Sequence, residues 1–142
     1  MPPDRRGSPL RPAVMTRHGD SMSWLNLVNA ALLAIHEIDS ACWQEWTMFR
    51  LPGGIQIFLV LNLALLFIVF YGFDQVIRRR RGHRYFSYLL AGSGIFAFSA
   101  HAAFLLAGYA QFRRPVSIGL LAATLVVSAM QISIVSKHHP VQ

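Results

Sequence analysis

Charge is scarce in this sequence: only 13% of its 142 residues are charged, and six of them are acidic. Cysteine is scarcer still. Cys42 stands alone, so neither an intrachain disulfide nor a multi-thiolate metal site can form. With 54% hydrophobic residues and a mean hydropathy of +0.43, the chain lacks the polar surface that a soluble domain of this size requires. What charge exists is lopsided, a formal +7 with an isoelectric point near 10.8. A nucleic-acid-binding protein sets such basic groups on a solvated face without long apolar runs beside them. Here the apolar runs dominate, which excludes nucleic acid as the partner and makes lipid the fitting solvent.

Four apolar stretches, at residues 22–40, 55–75, 85–109 and 115–136, fill most of the chain. A bilayer core of about 30 Å takes roughly 17 to 25 helical residues, so each stretch predicts a transmembrane helix. The expected fold class is all-α, a polytopic membrane protein whose four-transmembrane-helix bundle forms one domain over residues 21–137. The second and fourth stretches are the clearest, whereas Asn26, Asn29 and His36 interrupt the first. The connections agree with this count. Leu51-Pro52-Gly53-Gly54 is a turn, because proline cannot continue a helix and glycine accepts most backbone angles. The basic run from Arg78 to Arg84 must lie in water, and Pro115 suits the first turn of the last helix. Residues 1–20, with four prolines and four arginines, read as a disordered basic tail and not as a secretory signal. Met15 and Met22 are alternative starts. Residues 138–142 read as a frayed end in which His138 and His139 are inert, and no internal repeat is evident.

Lys and Arg close to the spans are retained in the cytoplasm. Arg5, Arg6, Arg11 and Arg17, the loop residues Arg78, Arg79, Arg80, Arg81 and Arg84, and Lys137 all fall on one side of the predicted bundle. These ten basic groups stand against Asp4, Asp20 and Asp74, which accounts for the whole +7. On the other side, Arg50, Arg113 and Arg114 balance Glu37, Asp39 and Glu45. Both termini are therefore expected in the cytoplasm. The arginine loop reads as a topology determinant and as a surface for anionic headgroups, worth about 1 kcal/mol per nearby Lys or Arg. Membrane lipids are the expected partners, and a second copy of the chain or a membrane partner protein is compatible with them.

Ionisable groups inside a membrane are rare and usually face the bundle or a cavity. His36, Glu37, Asp39, Glu45 and His101 are the candidates, all in the outer half. Asn26, Asn29, Leu33, His36 and Ser40 share one stripe of the first helix; Gly94, Ala97, His101 and Gly108 share one on the third; Ser117, Thr124, Ser128 and Gln131 share one on the fourth. The second helix adds Gln56 and Asn62. Imidazole binds metal or moves protons near neutral pH, and neighbouring carboxylates complete a divalent-metal site, zinc for example, or an acid/base site. His36-Glu37 begins like the metalloprotease H-E-x-x-H, but position 40 is Ser40, so that reading fails and His101 would have to supply the second ligand. Nothing in the spacing supports catalysis.

Plainer roles fit the same residues. The two histidines can serve only as interhelical hydrogen-bond partners, worth about 0.6 to 2 kcal/mol each in membranes. Glu37, Asp39 and Glu45 can pair with Arg50, Arg113 and Arg114 at the surface. Trp43 and Trp46, one turn apart, read as an aromatic belt on a short interfacial helix, with site lining as the alternative. Two functions from different classes follow: a protein that binds a divalent cation or small polar ligand at the His/Glu/Asp cluster, or a structural or accessory subunit whose polar stripes only fix helix packing. A small proton-coupled carrier is disfavoured, because the inner half offers little beyond Asp74 to complete a path.

The strings from His36 to Trp46, H-E-I-D-x-x-x-W-x-E-W, and from Leu51 to Gln56, L-P-G-G-I-Q, together with Ser99-Ala100-His101, resemble a family of small bacterial membrane proteins classed as a domain of unknown function. The resemblance covers about residues 22–136 and implies a four-helix fold in a bacterial inner (plasma) membrane, with no established activity. Cys42 departs from it, standing where an aromatic residue is expected.

Overall fold

The computed structural model describes residues 17–109 and 113–137. They form α1 (Arg17–Cys42), the single-turn α2 (Glu45–Met48), α3 (Ile55–Ile77), α4 (His83–Leu106) and α5 (Pro115–Lys137). Residues 1–16 of the tail expected over 1–20, and the frayed end expected at 138–142, lie outside the described residues. α1 starts five residues before the expected helix, within the segment read as tail, and the Asn26 amide bonds back to the Met22 carbonyl at 3.0 Å in its first turns. α4 ends at Leu106, short of the expected 109, because Gly108 takes a φ of +92° that no helix continues through. Nothing lies within 4 Å of a Cβ built on Gly108, so it does not extend the packing stripe assigned to it from the sequence.

α3, α4 and α5 are long and apolar enough to cross a membrane. α1, at 26 residues, is the longest, and its polar groups dilute its apolar content below theirs. The four long helices close into a ring in which α1 packs on α3 and α5, and α4 packs on the same two, with α1 touching α4 across the middle. Cross-links give the directions. Asn26 of α1 meets Ser87 near the start of α4, while Asn29 meets Gln131 near the end of α5. α1 and α4 therefore run together, and α5 runs against both. One end of the bundle carries the arginine run and the other carries Trp43 and Trp46.

The bundle is apolar outside and polar inside. Phe67, Phe70 and Phe96 are 69%, 64% and 71% exposed, and α1 turns Trp24, Ile35 and Ile38 outward in the same way. The apolar side chains that cluster in the interior are few: Leu33, Val69 and Leu90 pack together with Ala30 and Leu65 against them, while Phe58, Val76, Leu121 and Val135 are buried elsewhere. Asn29, Ser87, Thr124, Ser128 and Gln131 are fully buried. Helices in lipid gain nothing from hiding leucine from hydrocarbon, so small residues and hydrogen bonds hold them together. Asn29 donates to Gln131 Oε1 at 2.8 Å and to Ser128 Oγ at 3.1 Å, and Gln131 donates to the Ser87 carbonyl at 2.8 Å. One clasp thus binds α1, α4 and α5.

Gly94 lets α4 approach that clasp. A Cβ there would collide with Ser128 Oγ and lie 2.9 Å from Thr124 Cγ2 and 3.5 Å from Asn29 Oδ1. Gly94→Ala is expected to destabilise the bundle by about 1–3 kcal/mol, as overpacking does, despite the better helix propensity of alanine. Gly119→Ala, with open space around it, should lose nothing. Thermal unfolding of the two variants in the same detergent checks this contrast.

Candidate functional site

At the tryptophan end the chain reverses through a short, tightly bonded segment. α1 stops at Cys42, and Gln44 takes a left-handed conformation at φ 53°, from which α2 starts at Glu45. Thr47 donates through its backbone and side chain to the Gln44 carbonyl at 2.9 and 2.8 Å, and Leu51 N–H returns to the Trp46 carbonyl at 2.9 Å. Gly53 and Gly54 then adopt φ of +86° and +58°, backbone that side-chained residues rarely enter, and release the chain into α3. The result turns Glu45 inward, where it is only 4% exposed.

Glu45 meets His101 there, with Oε1 2.7 Å from Nε2. The other ring nitrogen, Nδ1, lies 2.8 Å from the Ala97 carbonyl, an acceptor, so Nδ1 carries hydrogen and donates. One further proton is then shared between Nε2 and Oε1, either as imidazolium with carboxylate or as imidazole with carboxylic acid. The pair is neutral overall in both forms. His36 stands edge-on to His101, with ring centroids 4.7 Å apart at 77°. The two histidines, 65 residues apart in sequence, share one buried position at the tryptophan end.

A cavity of about 860 Å³ opens beside them between α1, α3 and α4. Its polar wall is His36, Glu37, Ser40, Glu45, Asn62 and His101, and Leu33, Phe58, Leu65 and Phe96 are among its apolar lining. Two buried polar atoms of this wall have no hydrogen-bond partner among the described residues: His36 Nδ1 and Asn62 Oδ1. The Asn62 amide nitrogen is occupied by the Phe58 carbonyl at 3.1 Å. Buried polar atoms are normally paired, so two orphans on one cavity wall are unusual.

Residues 22–138 match a protein family described as a family of unknown function, DUF6713. The chain belongs to this family. All of the cavity wall and the whole Asn29 clasp of this DUF6713 chain lie inside the matched span. No curated protein and no solved structure matches the chain.

The sequence candidates of the DUF6713 chain divide in space. His36, Glu37, Glu45 and His101 share the cavity, whereas Asp39 is half-buried and accepts from the Trp43 indole at 3.2 Å. Glu45 pairs with His101 and not with the surface arginines expected for it. Among the described residues, no three His, Cys, Asp or Glu side chains converge to hold a metal ion. The expected zinc-type set is therefore not assembled, and the reason is local: Glu45 and His101 occupy each other, and Asp39 turns to Trp43. Trp43 lies under the Arg114 guanidinium at 5.7 Å, and Trp46 packs on Phe58 with ring centroids 5.3 Å apart. Both tryptophans are half-buried, and Trp46 touches a lining residue of the cavity.

At the opposite end, Asp74 draws in Arg78 and lies 3.7 Å from Arg80 Nη1. Arg84 donates to the Val135 carbonyl at 3.2 Å, satisfying an acceptor in the last turn of α5. Helical spacing does not single out three further residues of weight. Ser87 and Gln75 are buried polar groups outside every stripe, and Asn62 had been noted only as a polar residue on its helix. An asparagine within an otherwise apolar run is the signal that pointed to it.

Proposed function

We propose that this chain is a four-span protein of a bacterial inner membrane that binds a small ligand by hydrogen bonding in the cavity at its tryptophan end. α1 completes the span count, because its apolar residues face outward like those of α3 to α5 while its polar stripe faces its neighbours. The arginine end lies in the cytoplasm with both termini, its basic groups against anionic headgroups, as the distribution of Lys and Arg favours.

One observation carries the ligand reading: His36 is 4% exposed, lines the cavity, and leaves Nδ1 without a partner. The volume falls within the roughly 300–1,000 Å³ of small-molecule sites. A purely structural histidine would close its hydrogen bonds within the bundle, as His101 does through Glu45 and Ala97. The polar interior therefore has a division of labour. The Asn29 clasp holds the helices, and the His36 wall waits for something else.

Native mass spectrometry of protein extracted gently from its own membrane tests this. The expected result is a small molecule retained near one per chain and lost in His36→Leu, with folding intact. Bare wild-type protein from the same extraction, with His36→Leu unfolding at lower temperature, would leave the structural-subunit reading in its place.

A further inference from the structure

We infer that the ligand is a single-chain amphiphile whose head donates hydrogen bonds, a long-chain alcohol or amine, and that it enters sideways from the lipid; this rests on the ligand-site reading above. The mouth of the cavity gives the first argument. At the arginine end α3 and α4 are in close contact, so that a Cβ on Gly72 would come within 2.9 Å of the Phe86 ring. Toward the tryptophan end the cavity separates them, and its lining runs out through Leu61, Leu89 and Phe96, which are 53%, 39% and 71% exposed. These side chains belong to the apolar outer face, so the way in passes through hydrocarbon. An alkyl chain fits that path, and a hydrated ion does not.

The closed end gives the second argument. Asn62 Oδ1 is an acceptor without a partner, and the Glu37 carboxyl group, which already takes a hydrogen bond from the Asn62 side chain, lines the same wall. His36 Nδ1 completes the set as donor or acceptor according to its tautomer. A head that satisfies this wall must bring hydrogen to it. Charge gives the third argument. The ionisable lining groups are His36, Glu37, Glu45, His101 and Tyr88, with no lysine or arginine among them. His101 and Glu45 neutralise each other. No lysine or arginine on the lining stands ready to pair with a carboxylate or phosphate head, whereas a hydroxyl head needs no counter-charge and an ammonium head can meet the Glu37 carboxyl group.

The test uses delipidated full-length protein in detergent, incubated separately with dodecanol, dodecylamine, dodecanoic acid and ethanolamine and read by native mass spectrometry. Dodecanol and dodecylamine are expected to give a single adduct. Dodecanoic acid and ethanolamine should bind roughly tenfold more weakly, and Asn62→Leu should lower dodecanol binding by a similar factor, as an unmade buried hydrogen bond does. Comparison of the four probes on wild-type protein needs no variant to fold. Dodecanoic acid binding as tightly as dodecanol overturns the donor head. Ethanolamine binding as tightly overturns the amphiphile while leaving a polar-ligand site standing. Absence of any adduct with the chain-bearing probes also overturns the amphiphile, and the species retained from the native membrane then decides the broader reading by itself.

Discussion

Glu45→Ala is expected to lower the stability of the folded bundle by about 3 kcal/mol, where the cost of an orphaned buried polar atom meets that of a broken buried ion pair. Glu45 and His101 are 4% and 5% exposed, and the 2.7 Å bond between them joins α2 to α4 across 56 residues of sequence. Removal of the carboxyl group strands the buried His101 Nε2, while Nδ1 remains committed to Ala97. Glu45→Gln separates hydrogen bonding from charge. The glutamine amide can donate to a bare Nε2 while Nδ1 keeps its hydrogen, so most of the stability should return. Thermal unfolding of both variants in one detergent reads the difference. Equal loss in Glu45→Ala and Glu45→Gln would mean that the carboxyl charge, and not the bond, holds the site.

The second large effect lies in the other half of the polar interior. Asn29→Leu removes two donated bonds, to Gln131 Oε1 and Ser128 Oγ, and the bond that Ser128 returns to Asn29 Oδ1 at 3.3 Å. Gln131, fully buried, is left with an acceptor that no water reaches. Interhelical bonds in membranes contribute about 0.6 to 2 kcal/mol each, so a loss of about 2–3 kcal/mol is expected. Because the groups share one clasp, Asn29→Leu and Gln131→Leu should not add. A double variant losing at least about 0.5 kcal/mol less than the sum of the single variants is the expected result of a double-mutant cycle by chemical denaturation. Strict additivity would contradict the clasp.

The contrast between these regions explains what the sequence could reveal. Helical spacing alone brings Ser117, Thr124, Ser128 and Gln131 onto one face of α5, and the structure buries all four, because a polar stripe in lipid has nowhere else to go. Asn26, Asn29, His36 and Ser40 follow the same rule on α1. Periodicity does not reach Glu45. Its side chain is aimed by the left-handed turn at Gln44, a conformation carried by a residue that gives no glycine signal, so a carboxylate three residues beyond the helix end looked like a surface charge awaiting an arginine. The partnership of Asp39 with Trp43 was hidden for a related reason: it is a four-residue step across the C-terminal end of α1, where Asp39 accepts from the indole N–H. Ser87 escaped because one serine near the start of a helix carries no period, although Gln131 and Asn26 both bond to it. The cavity itself had no linear signature, since it arises where α3 and α4 part company, and that separation belongs to the packing of whole helices.

Two histidines in contact differ here: His101 has both ring nitrogens engaged, and His36 leaves Nδ1 open beside a cavity. The most direct measurement is the unfolding midpoint of His36→Leu beside that of Glu45→Ala, both in the same detergent without added ligand. Removal of an unpartnered buried nitrogen should leave His36→Leu at or above the wild-type midpoint, while Glu45→Ala falls well below it. A drop in His36→Leu as deep as that in Glu45→Ala would contradict the account and make His36 a structural residue.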